Sequence, residues 1–354
     1  MRRGIYQGWL GYRNLGDEAI FQACVRLFSR IQWTPMPFDE VSPRHVTFAA
    51  MRNVWIRSTA SIFPSTLAML GGGTILNQTP HWLEQYRLLR RMTGKPVPVF
   101  SPGVADPSYW AGTEGWRDTR REWREELADL PEVGVRGPIS KRLLEEAAFR
   151  NVVLTGDPAL AFHRGAVDPP PPGRRTVAVN AGRTNGLMWG SEDRTIAVLA
   201  DGARRLTRAG FQVRIFPVYQ GDEAVCREVA HAAGLPQDAV DPLILDADAF
   251  LRHLDQFDVV VSIKLHAAVL AAAAGVPFVA VEHQPKVRDF TESVCWSHYT
   301  FRSDVLESRD LERAVRDLYH DLSAFRDYLC ARVEELAETF RAYAHRLEEF
   351  LLAL

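Results

Sequence analysis

The proline run Asp168-Pro169-Pro170-Pro171-Pro172-Gly173 constrains this chain more than any other feature, because a stretch with four missing backbone donors continues neither a helix nor a central strand. On each side of it, short β-rich runs alternate with helical stretches. Before it the strand candidates are 4–7, 68–70, 97–101, 132–135 and 152–154, with helices expected near 17–31, 81–92, 116–127 and 139–148. After it the alternation restarts, with strands at 176–180, 212–217, 243–245 and 259–261 and helices at 193–209, 222–233 and 247–256. An Ala-rich helix, Gly275-Val276-Pro277 and a further short apolar strand follow. Two βαβ series predict an α/β chain of two parallel-sheet domains facing each other across a cleft. The expected boundaries are 1–167 and 175–310, with a linker at 168–174 and a helical tail at 311–354. That tail is rich in Arg and Glu with apolar positions near helical spacing, which fits a solvated helix docked on the body better than one lying on a membrane.

At 354 residues, 47% hydrophobic and 24% charged, the chain is long enough to bury two cores. Lys plus Arg number 42 against 44 Asp plus Glu, a formal net charge of −2 that argues against nucleic acid as a partner. No long apolar stretch follows Arg2-Arg3, so no signal peptide is expected. The longest apolar run, 265–281, is broken by His266 and Gly275-Val276-Pro277 and predicts a core helix and a strand rather than a membrane span. The four cysteines lie far apart without a Cys-x-x-Cys pair, as expected for free thiols in a reducing cytoplasm.

The run Asp258-Val259-Val260-Val261 reads as a buried strand, so Ser262, Lys264 and His266 fall where it ends and a helix begins. Open α/β sheets bind ligands at that end. Lys286 follows the next strand, in Gln284-Pro285-Lys286-Val287. Two cations and an imidazole there predict an anionic substrate and a proton transfer, since a free imidazole with a pKa near ~6.5 both takes and returns a proton. Gly71-Gly72-Gly73-Thr74 also follows a strand, and its bare backbone admits close ligand approach with N–H groups facing an oxyanion. Arg136 and Ser140 lie at a strand end and in a first helical turn, where a guanidinium fork and a hydroxyl meet phosphate or carboxylate. Asn14-Leu15-Gly16-Asp17-Glu18 is a strand-to-helix turn in which Asp17 is expected to cap the helix. Each assignment has a structural alternative: glycines placed for packing, a plain βα turn, a surface ion pair for Arg136, an exposed Lys286, a satisfied core His266.

Six segments occur in a telling order: Gly11 to Ile20, Gly71-Gly72-Gly73-Thr74-Ile75-Leu76, Val135-Arg136-Gly137-Pro138-Ile139-Ser140, Gly156-Asp157-Pro158-Ala159, Ser262 to His266, and Pro285-Lys286-Val287. Together they resemble the polysaccharide pyruvyltransferase family over roughly residues 4–300. The resemblance implies a fold similar to GT-B glycosyltransferases, with two Rossmann-like parallel-sheet domains, no metal and no cofactor. It also implies that phosphoenolpyruvate, as co-substrate, gives up its pyruvyl unit as a ketal across two hydroxyls of a sugar. The acceptor implied is a cell-surface polysaccharide or its lipid-linked precursor, handled on the cytoplasmic side with peripheral contact at the inner face of the membrane. On this reading His266, Lys286 and Arg136 are catalytic, and Lys264, Ser262, Ser140, Gly72, Gly73 and Thr74 bind the donor. Asn14, Asp17, Glu18, Asn180 and Arg183 contact the acceptor, with Trp189 and the Trp9 and Tyr12 pair offering faces for sugar rings. The sequence departs from the family where Lys264 replaces the usual Arg, which keeps the charge but loses the bidentate fork. Arg136-Gly137 replaces a frequent Arg-Asp, and His283-Gln284-Pro285-Lys286 replaces a more acidic pattern. A nucleotide-sugar glycosyltransferase and a catalytically idle binding member stay open as alternatives.

Overall fold

Two α/β units make up the computed structural model, which describes residues 1–37, 66–165 and 175–354; the expected linker at 168–174 lies outside the described residues. The units are not two contiguous stretches. Met1–Tyr12, Ile20–Pro158 and Glu338–Leu354 group as the first, and Arg13–Ala19 and Ala159–Ala337 as the second.

In the first unit the strand β1 (Arg2–Gly8) lies between β2 (Ile31–Pro37) and β3 (Leu67–Leu70), all parallel. The central position follows from burial, since the last five residues of β1 and all of β3 are covered. The strand expected at 97–101 is reduced to a single bridge between Val99 and Leu70, because Pro96 and Pro98 have no N–H to give to a ladder. Two further parallel pairs join β4 (Thr74–Leu76) to β5 (Gly103–Val104), and β6 (Val133–Val135) to β7 (Val152–Leu154). The helix expected to reach residue 31 ends at Leu27, and Ile31 opens β2 instead.

The second unit carries five parallel strands: β8 (Thr176–Asn180), β9 (Gln212–Phe216), β10 (Val259–Ser262), β11 (Phe278–Glu282) and β12 (Thr300–Arg302), in the order β12-β11-β10-β8-β9. The chain leaves β8 toward β9 and returns on the other side to β10, so the order reverses between β8 and β10. That reversal is where a doubly wound sheet opens a crevice at its carboxyl ends. The strand expected at 243–245 does not form; Val240 makes one bridge to Ile215 of β9, and Pro242 cannot extend it.

The closing helix Leu322–Ala353 shows why the tail is not a body of its own. Its earlier part buries Leu329 and Val333 in the second unit, where the Arg326 guanidinium donates to the Phe257 carbonyl at 2.9 Å. Its later part buries Phe340, Tyr343, Leu347 and Leu351 in the first, and the Tyr343 hydroxyl accepts from the Gly134 N–H at 3.2 Å. Among the described residues no helix is long and apolar enough to cross a membrane.

Candidate functional site

In the first unit the expected residues build a closed polar knot around Arg136, at the end of β6. Its side chain is 1% exposed, its Nη2 donates to the Thr74 hydroxyl at 2.9 Å, and its Nη1 lies 3.7 Å from the Asp157 carboxylate, itself 1% exposed. Gly103 makes room for it, since a Cβ there falls 2.1 Å from Nη2. A surface salt bridge is therefore the wrong alternative for Arg136; the pair is buried, and its partner Asp157 had received no role. The glycine turn departs from the oxyanion nest expected of it. The Gly71 N–H donates to the Gln7 carbonyl and the Gly72 N–H to the Tyr6 hydroxyl, so both donors are spent internally. Both glycines answer to packing: a Cβ on Gly71 meets the Tyr6 hydroxyl at 2.5 Å and one on Gly72 meets Ile20 at 2.9 Å. Gly73 supplies a φ of 101°, and Thr74 opens β4. Ser140 is fully buried, its Oγ accepting from the Val104 N–H at 2.9 Å, which ties β5 to the helix Pro138–Glu146. Trp9 and Tyr12 stack on each other, centroids 4.8 Å apart.

In the second unit the expected residues converge on the carboxyl ends of β8, β10 and β11. Ser262 shapes the turn after β10: it is buried and its hydroxyl donates to the Lys264 carbonyl at 2.6 Å. Asn180 has a task other than acceptor contact. Fully buried, it accepts from the Lys264 N–H at 2.9 Å and donates to the Phe216 carbonyl at 3.1 Å, riveting three strand ends together. The Lys264 ammonium donates to the Arg183 carbonyl and sits 3.3 Å from the Asp222 carboxylate and 6.0 Å from the centre of the Tyr219 ring, while the side chain stays 21% exposed. Arg183 itself is held by Glu192, Asp193 and Glu228 at 3.2–3.4 Å, so its charge is answered from within the unit. Trp189 has one face covered by the Arg302 guanidinium, 4.4 Å from the ring centre.

His266 and Lys286 are partly exposed, each the second residue of a helix, Leu265–Ala273 and Pro285–Ser293. The residues that precede them, Lys264 and Gln284, make no capping hydrogen bond with their side chains. Against His266 lies the turn from the chain's start: Asn14, not Asp17, caps the helix Leu15–Leu27, its Oδ1 accepting from the Gly16 N–H at 3.1 Å. Asp17 and Glu18 fall in the first helical turn, partly exposed. A bridge from Asn14 to Tyr219, with the Leu15 N–H donating to the Val218 carbonyl, holds that turn at the end of β9.

Two residues here had no role assigned from sequence. Burial pushes the pKa of Asp222 up to about 6, against the opposing pull of Lys264. Burial, then the charges of Lys286 and Lys264, hold His283 well below the ordinary histidine range, so a neutral imidazole lies beside both cations. For His283 the available signal was position, since it follows directly on β11, which neighbours the strand before the cationic motif; Asp222 lies in the helical turn Gln220–Asp222, six residues past β9, and carried no such signal. Among the described residues no group of three His, Cys, Asp or Glu is arranged to hold a metal ion.

A model of the polysaccharide pyruvyl transferase family matches residues 14–285. No curated protein matches the sequence significantly. Among solved structures, a UDP-GlcNAc 2-epimerase from Neisseria meningitidis bound to UDP-GlcNAc superposes with a TM-score of 0.61 at 9% identity, covering 99% of each chain. A putative UDP-N-acetylglucosamine 2-epimerase from Listeria monocytogenes gives 0.59 at 13% identity, over 93% of this chain and 90% of that one. HepE from Anabaena, in complex with UDP and glucose, gives 0.55 at 13% identity over 100% of both. At these identities the likeness is one of fold, the GT-B-like fold that the family resemblance implied.

Proposed function

The chain belongs to the polysaccharide pyruvyl transferase family, and on that premise we propose that it moves the pyruvyl unit of phosphoenolpyruvate onto two hydroxyls of a sugar, in a cell-surface polysaccharide or its lipid-linked precursor. The observation that carries this reading is the grouping of Lys264, His266 and Lys286 at the N-termini of the helices that follow β10 and β11. Two ammonium groups beside an imidazole, at the positive ends of two helix dipoles, suit a phosphate or carboxylate. His266 is the general base that accepts the proton of the attacking hydroxyl. Lys286 delivers a proton to the methylene carbon, and the electrophilic C2 so formed takes the sugar oxygen. The phosphate C–O bond then breaks, the second hydroxyl adds to the same carbon, and its proton leaves with phosphate. Lys264 holds the donor's anionic end, and Asn14, Asp17 and Glu18 receive the acceptor. Arg136 we assign to support of the first unit's loops, because its guanidinium is enclosed and paired. The acceptor is reached on the cytoplasmic side without a cofactor.

Incubation with phosphoenolpyruvate and a panel of surface-polymer glycosides tests the reading, with phosphate release and the mass of the glycoside as readouts. The expected result is equimolar phosphate and a glycoside heavier by one pyruvate ketal. Tight binding of UDP, with no phosphate released from phosphoenolpyruvate for any glycoside, would replace it with nucleotide-sugar transfer.

A further inference from the structure

The Lys264 ammonium is held by a carboxylate that is far more enclosed than the lysine itself. Asp222 is 1% exposed and the Lys264 side chain 21%, with 3.3 Å between Nζ and Oδ1. The carboxylate lies flat on Gly182, where a Cβ falls 2.5 Å from its carboxyl carbon, so a side chain at 182 is excluded by the pair. The Lys264 backbone is fixed at both ends of its peptide by Asn180 and Ser262, which leaves the ammonium as the part able to change partner.

We propose that Asp222 is a positioning residue of the donor site that competes with the donor's anionic group for the Lys264 ammonium. This rests on the reading of Lys264 as a donor contact. An ionised Asp222 aims the ammonium and cancels its charge; a neutral one leaves that charge for the ligand. The groups facing Asp222 are Lys264, Glu192, Cys226 and the backbone of Arg183. Burial pushes Cys226 up to about 12, so it remains a neutral thiol. Glu192 is raised by burial but lowered further by Thr184 and Arg183, so it remains a carboxylate. Asp222, at about 6, changes charge inside the range where an enzyme is assayed.

The test is calorimetric titration of phosphoenolpyruvate, and separately of inorganic phosphate, into the parent protein, Asp222→Asn, Lys264→Ala and the double variant from pH 5 to 8. The donor's own phosphate titrates near pH ~6, but it does so identically for each protein, so ratios of affinity isolate Asp222. Competition predicts that Asp222→Asn binds roughly three- to tenfold more tightly than the parent at pH 8, with the ratio falling toward 1 at pH 5. In the Lys264→Ala background the ratio shrinks to within about twofold of 1. A folded Asn variant that binds equally at every pH, or more weakly, overturns the proposal. If the Asn variant does not fold, the parent against Lys264→Ala decides with sulfate as the probe, whose charge is constant over this range: their affinity ratio must grow as pH falls, and a flat ratio overturns it. Phosphate showing the pattern while phosphoenolpyruvate does not bind supports the competition and overturns the donor assignment. Failure of both anions to bind the parent overturns both.

Discussion

The imidazole of His266 occupies the space that a side chain on Gly16 would need: a Cβ built on Gly16 falls 2.0 Å from His266 Nδ1. Residues 250 positions apart thus share one van der Waals surface, with the turn that Asn14 caps serving as the floor under the candidate base. His266→Ala removes a partly exposed ring and is expected to leave folding nearly intact while lowering turnover roughly 10²-fold or more. Gly16→Ala is expected to lower turnover on the same scale by displacing the ring, with a stability loss of about 1–3 kcal/mol for overpacking. The two losses should not add in the double variant. Additive losses, or a Gly16→Ala protein with parental turnover, would show that the contact does not position the base.

Stability in the first unit is expected to hang on the pair of Arg136 and Asp157. Removing one partner of a buried ion pair strands the other, so Asp157→Ala should lower the unfolding free energy by about 3–5 kcal/mol. Thr74→Val, which removes the hydroxyl that accepts from Arg136, should cost about 1–3 kcal/mol. Denaturant unfolding measures both. An Asp157→Ala protein as stable as the parent would mean the guanidinium has solvent access.

The raised pKa of Asp222 carries a pH dependence of stability with a defined sign. Its carboxyl is near 6 in the fold against an ordinary 3.8, so the folded state holds the proton more tightly than the unfolded chain. The resulting stabilisation is complete below about 3.8 and lost as pH rises through about 6. Relative to Asp222→Asn, which cannot titrate, the parent should lose about 1–3 kcal/mol between pH 4 and pH 7.5. Paired thermal unfolding across that range is the measurement, and a constant difference between the two proteins would exclude a raised pKa.

Thiol labelling distinguishes the four cysteines. Cys24 and Cys226 are buried and desolvation pushes both thiols up, Cys226 to about 12, and Cys330 is half-buried and also raised. Cys295 is exposed, so it should react first with a thiol reagent in the native protein, with Cys24 and Cys226 reacting only on unfolding. Fast native labelling at Cys24 would contradict its burial.

Several features were legible along the chain because they depend on neighbours in sequence. Val259, Val260 and Val261 announced a buried strand, the motif after them announced its ligand-bearing end, and the restart of βαβ alternation after the prolines announced a parallel sheet. Other features depend on residues far apart, and local pattern carries no information about them. Nothing adjacent to Gly72 says that its N–H is taken by Tyr6, and nothing near Arg136 says that Asp157 and Thr74 enclose it. Asn180 looked like an acceptor contact from its place at a strand end, but folding set it between two other strand ends that needed bridging. Lys264 and His266 stood out as a cation and an imidazole from sequence, whereas the partner that tethers one and the glycine that seats the other came from the helical turn after β9 and from the start of the chain. The chain's periodicity is enough to specify which backbone segments pair, since hydrophobic burial acts on each segment locally. Which polar groups remain for a substrate is decided by hydrogen bonds and ion pairs satisfied at long range, and only the folded chain completes that accounting.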